Sequence, residues 1–313
     1  MRLWPAAALA LAAVMAPAFA QAPYNAETTY RKLVRDYPYI RIASAEAPES
    51  VRVRKDLVYA QRGELALGLD LYLPAPGAAP APLVPLVLLV HGGGWGSGER
   101  ANMAPLAVRL AARGYAAATV SYRLSGQARY PAAVDDVKAA LDWLRAQANA
   151  LGVDPSRIAI AGGSAGGQIA ALVGMTRPHD VRAVINIDGL SDFTSEQALR
   201  FEDDPAKQPS AAGAWFGGRY AELPALWRDA SPLTHAGKDS PPVQFIVSSV
   251  PRFSSGREAL AARLGAHGIA TDTVALAGAP HSFWLFDPWL APTVDAMTGF
   301  LARSMAPVKR RAP

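Results

Sequence analysis

The chain of 313 residues contains no cysteine. That excludes disulfides, thiolate nucleophiles and Cys-ligated zinc, so a hydrophobic core must hold the fold together. Beyond the first twenty residues no apolar run is long enough to cross a bilayer. Charge of one sign is also scarce: 31 Lys and Arg against 26 Asp and Glu leave a net charge of +5. Part of that excess sits in the tail Lys309-Arg310-Arg311. No basic face with interleaved aromatics calls for a nucleic-acid partner. One further absence is local. From Ser248 to Arg257 the segment SSVPRFSSGR carries no carboxylate, although it follows an apolar stretch, Val243 to Val247, that reads as a buried strand.

What is present is apolar: 51% of the residues are hydrophobic. Met1 to Ala20 reads as a signal peptide, with Arg2 as its charged start, Leu3 to Met15 as the apolar run and Ala18-Phe19-Ala20 as a small-x-small cleavage site. The mature protein is therefore expected to be exported to the periplasm or secreted. Residues 21–50 form an N-terminal arm, 51–304 the folded domain and 305–313 a basic tail. Val51 to Tyr59 and Leu65 to Leu73 alternate as two strands of a hairpin. Leu86 to Val90, Tyr115 to Val120, Arg157 to Ala161, Val181 to Ile187, Val243 to Val247 and Thr271 to Leu276 read as further strands. Helices are expected over Met103 to Arg113, Pro131 to Ala148, Ala165 to Met175, Gly256 to Gly265 and Pro292 to Arg303. Strands alternating with helices predict an α/β domain, a mostly parallel sheet covered on both faces. The polar, Pro- and Gly-rich stretch from about 191 to 239, which carries Trp215, Phe216 and Trp227, interrupts that rhythm as a small cap insertion.

Three stretches carry chemistry. In AIAGGSAGGQIAAL, Gly162-Gly163-Ser164-Ala165-Gly166 matches G-x-S-x-G between an apolar strand and an Ala-rich helix. That is the context of a nucleophile elbow, in which a sharp turn lifts the Ser164 hydroxyl above the sheet. The helix N-terminus favours negative charge beside it. In LVLLVHGGGWGSGER, Gly92 to Gly94 follow a buried strand and free backbone N–H groups for an oxyanion hole. Gly93, Gly94 and Ala165, the residue after the nucleophile, are the expected donors. In LAGAPHSFWLFDPW, His281 follows a late strand, where this chain order places the base. Of the other histidines, His91 belongs to the glycine loop as a structural group, His179 and His267 lie at helix ends, and His235 closes the insertion.

With these motifs the chain resembles an α/β-hydrolase of the esterase/lipase group, in the bacterial feruloyl-esterase-like and acetyl-xylan-esterase-like branch. The segments GLDLYLP, VSYRLS and YPAAVDDVKAALDWLR extend the resemblance, which covers about Leu57 to Leu301. It implies a Ser-His-acid hydrolase of carboxylic esters, without metal or cofactor, acting on small-molecule esters or on acyl and methyl esters of plant-type polysaccharides. A non-catalytic binding protein on the same scaffold is the rival reading. Oligomeric state is not readable from the sequence.

The group usually carries its acid in the loop where this chain has Arg252, a side chain that cannot accept a hydrogen bond from an imidazole. Asp188, at the end of the strand in AVINIDG, is the expected substitute, and Glu258 is the alternative. Asp192 and Asp287 are further candidates; Asp192 also reads as a structural turn residue. Arg252 itself has two readings, a cation that meets an anionic substrate such as a uronate, or a surface group paired with Glu258 or with solvent. Trp95, Trp215, Trp284 and Trp289 are expected to floor the site, and Trp143 to belong to the core.

Overall fold

The computed structural model describes residues 23–76 and 82–306. The signal-peptide stretch and most of the basic tail lie outside the described residues. In chain order the elements are α1 (Ala26–Leu33), β1 (Arg41–Ile42), β2 (Val51–Arg62), β3 (Leu65–Pro74), β4 (Val84–Val90), α2 (Ala104–Ala111), β5 (Ala116–Val120), α3 (Ala132–Ala146), α4 (Ala148–Leu151), β6 (Val153–Gly163), α5 (Ala165–Thr176) and β7 (Ala183–Ile187). The insertion follows as four short helices, α6 (Glu196–Glu202), α7 (Ala211–Phe216), α8 (Pro224–Asp229) and α9 (Pro232–His235). The chain then resumes with β8 (Val243–Val247), α10 (Arg257–Ala266), β9 (Thr271–Ala275), β10 (Phe286–Asp287) and α11 (Leu290–Ser304).

Eight strands form one sheet in the order β2-β3-β5-β4-β6-β7-β8-β9. The β2–β3 and β3–β5 pairs are antiparallel, and every pair from β5 through β9 is parallel. The apolar run of β4 is explained by its place. Leu86, Leu88 and Val90 pack in one core layer with α3 and α5, whereas Val87 and Leu89 pack in the other with α2 and α11. A central parallel strand has no solvent face, so alternation disappears. At the far edge, β9 alternates between exposed and half-buried residues and is polar accordingly.

Several boundaries move from their expected places. β6 starts at Val153 and runs to Gly163, because its first residues extend the pairing with β4. The expected helix over Met103 to Arg113 begins as a 3-10 turn, Arg100–Met103, and continues as α2. α11 begins at Leu290, two residues before Pro292, since proline is accommodated in a first helical turn.

The arm is part of the fold. Asn25 and Thr28 cap α1 reciprocally as a capping box. β1 pairs with β10, and Ile40 and Ala43 are buried in the core layer of α2 and α11. The folded unit among the described residues therefore begins well before Val51. The helix α1 carries arm residues to the same end of the sheet as the strand C-termini, where Thr28, Thr29 and Lys32 share a cavity with Ser164 and His281.

Candidate active site

Ser164 occupies the turn between β6 and α5 with φ 55° and ψ −124°, a conformation rare for any residue with a Cβ. Two features hold it there. The Ser164 N–H donates to the Ile187 carbonyl at 2.8 Å, which ties the turn to β7. The helix that follows lies so close to β4 that a Cβ at Gly166 would sit 2.1 Å from the Val90 carbonyl oxygen. The glycine after Ala165 is thus required by close approach of backbone to backbone.

His281 follows β9 and joins the two partners named from the sequence. Its Nε2 lies 2.9 Å from Ser164 Oγ, and its Nδ1 lies 2.9 Å from Asp188 Oδ2. With Nδ1–H donating to Asp188, Nε2 is left to accept the Ser164 hydroxyl proton. Burial is the largest influence on His281 and lowers its pKa; the bond to Asp188 raises it in opposition, and Arg252 lowers it further. The imidazole is therefore neutral at neutral pH and able to take a proton.

Asp188 stands immediately after β7, with φ 51°. Its carboxylate is fully buried. One oxygen meets His281 and the other accepts the Ser248 N–H at 2.9 Å. The carboxylate-free segment SSVPRFSSG thus takes part in the site through its backbone. It also supplies Phe253, whose ring lies flat on the His281 imidazole, 3.4 Å between centroids and 8° between planes. The Arg252 guanidinium sits 4.2 Å from the Phe253 centroid. With the imidazole covering one face at that spacing, Arg252 covers the other.

The other candidate acids lie elsewhere. Glu258, the alternative, has a side chain 75% exposed and pairs with the neighbouring Arg257. This also removes the expected surface pair between Arg252 and Glu258. Asp192 accepts the N–H and hydroxyl of Thr194 at 2.8 Å, a local turn bond. Asp287 belongs to β10, opposite Arg41.

Gly93 and Gly94, both at positive φ, face the same cavity as Ser164. Among the described residues neither amide has an intramolecular acceptor. Ala165 is the first residue of α5, where an N–H has no intrahelical partner. Three amides are thereby available near the serine. His91 fixes this loop from below. It is buried, its Nδ1 lies 2.9 Å from the Gly92 carbonyl, and its ring stacks on Tyr122 at 4.3 Å. Burial holds its pKa down to about 4.

The cavity above Ser164 measures about 480 Å³. Trp95 lines it and is anchored by its Nε1–H to Gln168 Oε1 at 2.9 Å. Trp215 and Trp284 do not form the expected floor: both are completely buried. Trp215 stacks on Trp95 at 5.0 Å and belongs to an aromatic cluster with Phe193, Phe216 and Trp227 that joins the insertion to the sheet. Trp284 packs beneath the elbow, where a Cβ at Gly163 would meet its indole at 2.5 Å, and edge-on to His281. Trp289 is likewise buried, against Tyr37. Indoles this large lose their water most completely under an insertion or beneath a strand end, so their place depends on tertiary packing.

The rim holds residues that the sequence reading did not single out: Tyr24, Thr28, Thr29 and Lys32 of the arm, Glu202 of α6, and Phe253. Tyr24 is fixed by its hydroxyl to Ser282 Oγ at 3.0 Å and by its carbonyl, which accepts the Asn102 Nδ2–H. Nothing local in the arm sequence says that α1 docks beside the serine.

Comparison with known proteins gives the family and the fold. The family model BD-FAE matches residues 69–250, more than half of the chain. An ethyl acetate hydrolase of Pseudomonas putida is 30% identical over 254 residues, 76% of this chain and 77% of that protein. A probable carboxylic ester hydrolase of Mycobacterium tuberculosis, LipM, is 31% identical over 220 residues, 61% of this chain and 48% of its own length. The chain spans about half to three-fifths of the length of the mycobacterial relatives it matches. A solved bacterial heroin esterase superposes with a TM-score of 0.70 at 25% identity, covering 89% of this chain and 90% of that one. Among the described residues no helix is long and apolar enough to cross a membrane. The chain belongs to the BD-FAE family and has the α/β-hydrolase fold.

Proposed function

We propose that the protein is an exported serine esterase that hydrolyses carboxylic esters through an acyl-enzyme. The observation that carries this reading is the pair of 2.9 Å contacts that put His281 between Ser164 and Asp188. Ser164 Oγ attacks the ester carbonyl carbon while His281 Nε2 takes its proton. The carbonyl oxygen becomes an oxyanion within reach of the Gly93, Gly94 and Ala165 amides. Collapse of this intermediate breaks the bond to the alcohol oxygen, and the imidazolium returns the proton to that oxygen. Water then repeats the sequence on the acyl-serine, with His281 as base, and releases the acid. Asp188 holds the Nδ1–H tautomer and offsets the imidazolium charge.

The substrates proposed are acyl or methyl esters on plant-type polysaccharides. The polar rim of Thr28, Thr29, Lys32, Glu202 and Arg252 supports a hydroxylated alcohol portion, and export, read from residues 1–20, suits a polymer outside the cell. The curated relatives' names, carboxylic ester hydrolase and ethyl acetate hydrolase, support ester hydrolysis in general. A fluorophosphonate probe combined with short p-nitrophenyl esters tests the reading. Labelling is expected at Ser164 with turnover of the esters; neither labelling nor turnover would leave a non-catalytic scaffold instead.

A further inference from the structure

The cavity is lined by three charged residues that the reaction above does not use, Lys32, Glu202 and Arg252. Asp188 is engaged by His281 and Ser248, and Lys32 stands exposed on the arm. Glu202 and Arg252 remain. Glu202 ends α6 and its side chain lines the cavity. Among the described residues its carboxylate has no hydrogen-bond or ion-pair partner; the Ser210 hydroxyl donates to its backbone carbonyl instead. Arg252 lies in the 3-10 turn Pro251–Ser254, against which α6 packs. Its guanidinium is held over Phe253 at 4.2 Å and over Phe201, the residue before Glu202, at 5.3 Å. Among the described residues it too forms no ion pair, since Glu258 is taken by Arg257.

The two heads feel each other without joining. Burial raises the Glu202 pKa, and Arg252 is the largest influence opposing it. A guanidinium alone beside the serine would favour an anionic ester. With a carboxylate on the adjoining element, that preference is offset. What remains is one acceptor-only group and one donor-only fork on the same wall. Adjacent hydroxyls of a neutral sugar satisfy both, one donating to the carboxylate and one accepting from the guanidinium. Hydrogen bonds to charged groups are the stronger kind, and a half-buried carboxylate without a partner gains most from such a ligand.

We propose that Glu202 and Arg252 form a polar subsite that binds free hydroxyls of a neutral sugar whose acylated hydroxyl lies at Ser164. The proposal rests on the esterase reading and specifies its alcohol portion. The test compares wild type, Glu202→Gln and Arg252→Gln on three esters: p-nitrophenyl acetate, a mono-O-acetylated methyl xyloside and a mono-O-acetylated methyl glucuronide. The first ester has no sugar and normalises each variant for changes in folding and in the triad itself, including any effect of Arg252→Gln on His281. In each variant, the ratio of kcat/KM for the acetyl xyloside to that for p-nitrophenyl acetate is expected to fall about tenfold or more, mainly through KM. Free methyl xyloside should inhibit wild type competitively and inhibit Glu202→Gln at least several-fold less.

A ratio within twofold of wild type in both variants overturns the proposal. So does a wild-type preference for the glucuronide that only Arg252→Gln abolishes, which would make the wall an anion site. Turnover of p-nitrophenyl acetate without turnover of the acetyl xyloside also overturns it and leaves the esterase reading standing. Failure of wild type on all three esters would instead remove that reading.

Discussion

The two sides of the site are built differently. The serine side is backbone. Gly166 lies within contact of Val90, the Ser164 amide is tied to Ile187, and the amides of Gly93 and Gly94 face the cavity without acceptors. The acid side is assembled from groups on separate elements, three side chains and the Ser248 amide. Asp188 ends β7, Ser248 and Phe253 follow β8, and His281 follows β9. A site made of backbone demands particular residues at fixed spacing, so it leaves a motif. A site made of converging side chains demands only that a carboxylate, a donor and a flat surface arrive at one point. The carboxylate is therefore free to sit at the end of β7 while the loop after β8 supports it.

The first way to break that comparison is on the serine side. Ser164→Ala removes the nucleophile and is expected to lower kcat on p-nitrophenyl acetate by about 10⁴-fold or more, read in steady-state assays at high enzyme concentration. The insertion that walls the site depends on buried aromatic area. Trp215→Ala is expected to cost about 3–5 kcal/mol in urea unfolding, because the indole is fully buried against Trp95 and Phe216.

His91 offers a pH test of the glycine loop. The folded chain keeps it neutral down to about 4, while an unfolded chain binds the proton near 6.5. The unfolded state then holds more protons between these values, so stability falls as pH drops from about 6.5 to about 4, by about 3 kcal/mol for this group. Urea midpoints at pH 7 and pH 4 should differ less in His91→Asn than in wild type.

The smaller effects sharpen the acid side. Because burial lowers the His281 pKa, kcat/KM should rise with pH through a midpoint below 6.5 and level off above it. Phe253→Leu removes the flat surface under the imidazole. It is expected to reduce kcat on p-nitrophenyl acetate by several-fold to about tenfold and to shift that midpoint. A purely structural loss would lower amplitude without moving the profile.

Much of the frame could be read from the chain. The β4 run, the β6–α5 turn and the helices α3 and α5 each carry a local signature, since a strand buried on both faces must be continuously apolar and an elbow must be glycine-rich. The order Ser164, acid, His281 followed from topology with Asp188 as the first of several candidate acids, and the structure joins His281 by hydrogen bonds to Ser164 and Asp188. The residues that escaped are those whose role is set by packing across long sequence distances. Tyr24 reaches Ser282 across 258 positions, and Glu202 looks like any acid at the end of a polar helix. Trp215, Trp284 and Trp289 were expected with Trp95 as an apolar floor for sugar or aryl rings, and all three are buried away from it. Their depth is decided by an insertion and a strand end that no local pattern describes.

The central claim is that the acid function lies with Asp188 and not in the altered loop. The most direct measurement is kcat/KM of Asp188→Asn and Glu258→Gln on p-nitrophenyl acetate, side by side with wild type. The account predicts a loss of about 10³–10⁴-fold for Asp188→Asn, with the pH profile disturbed, and a change of less than twofold for Glu258→Gln. Near-wild-type turnover by Asp188→Asn, or a collapse in Glu258→Gln, would contradict it.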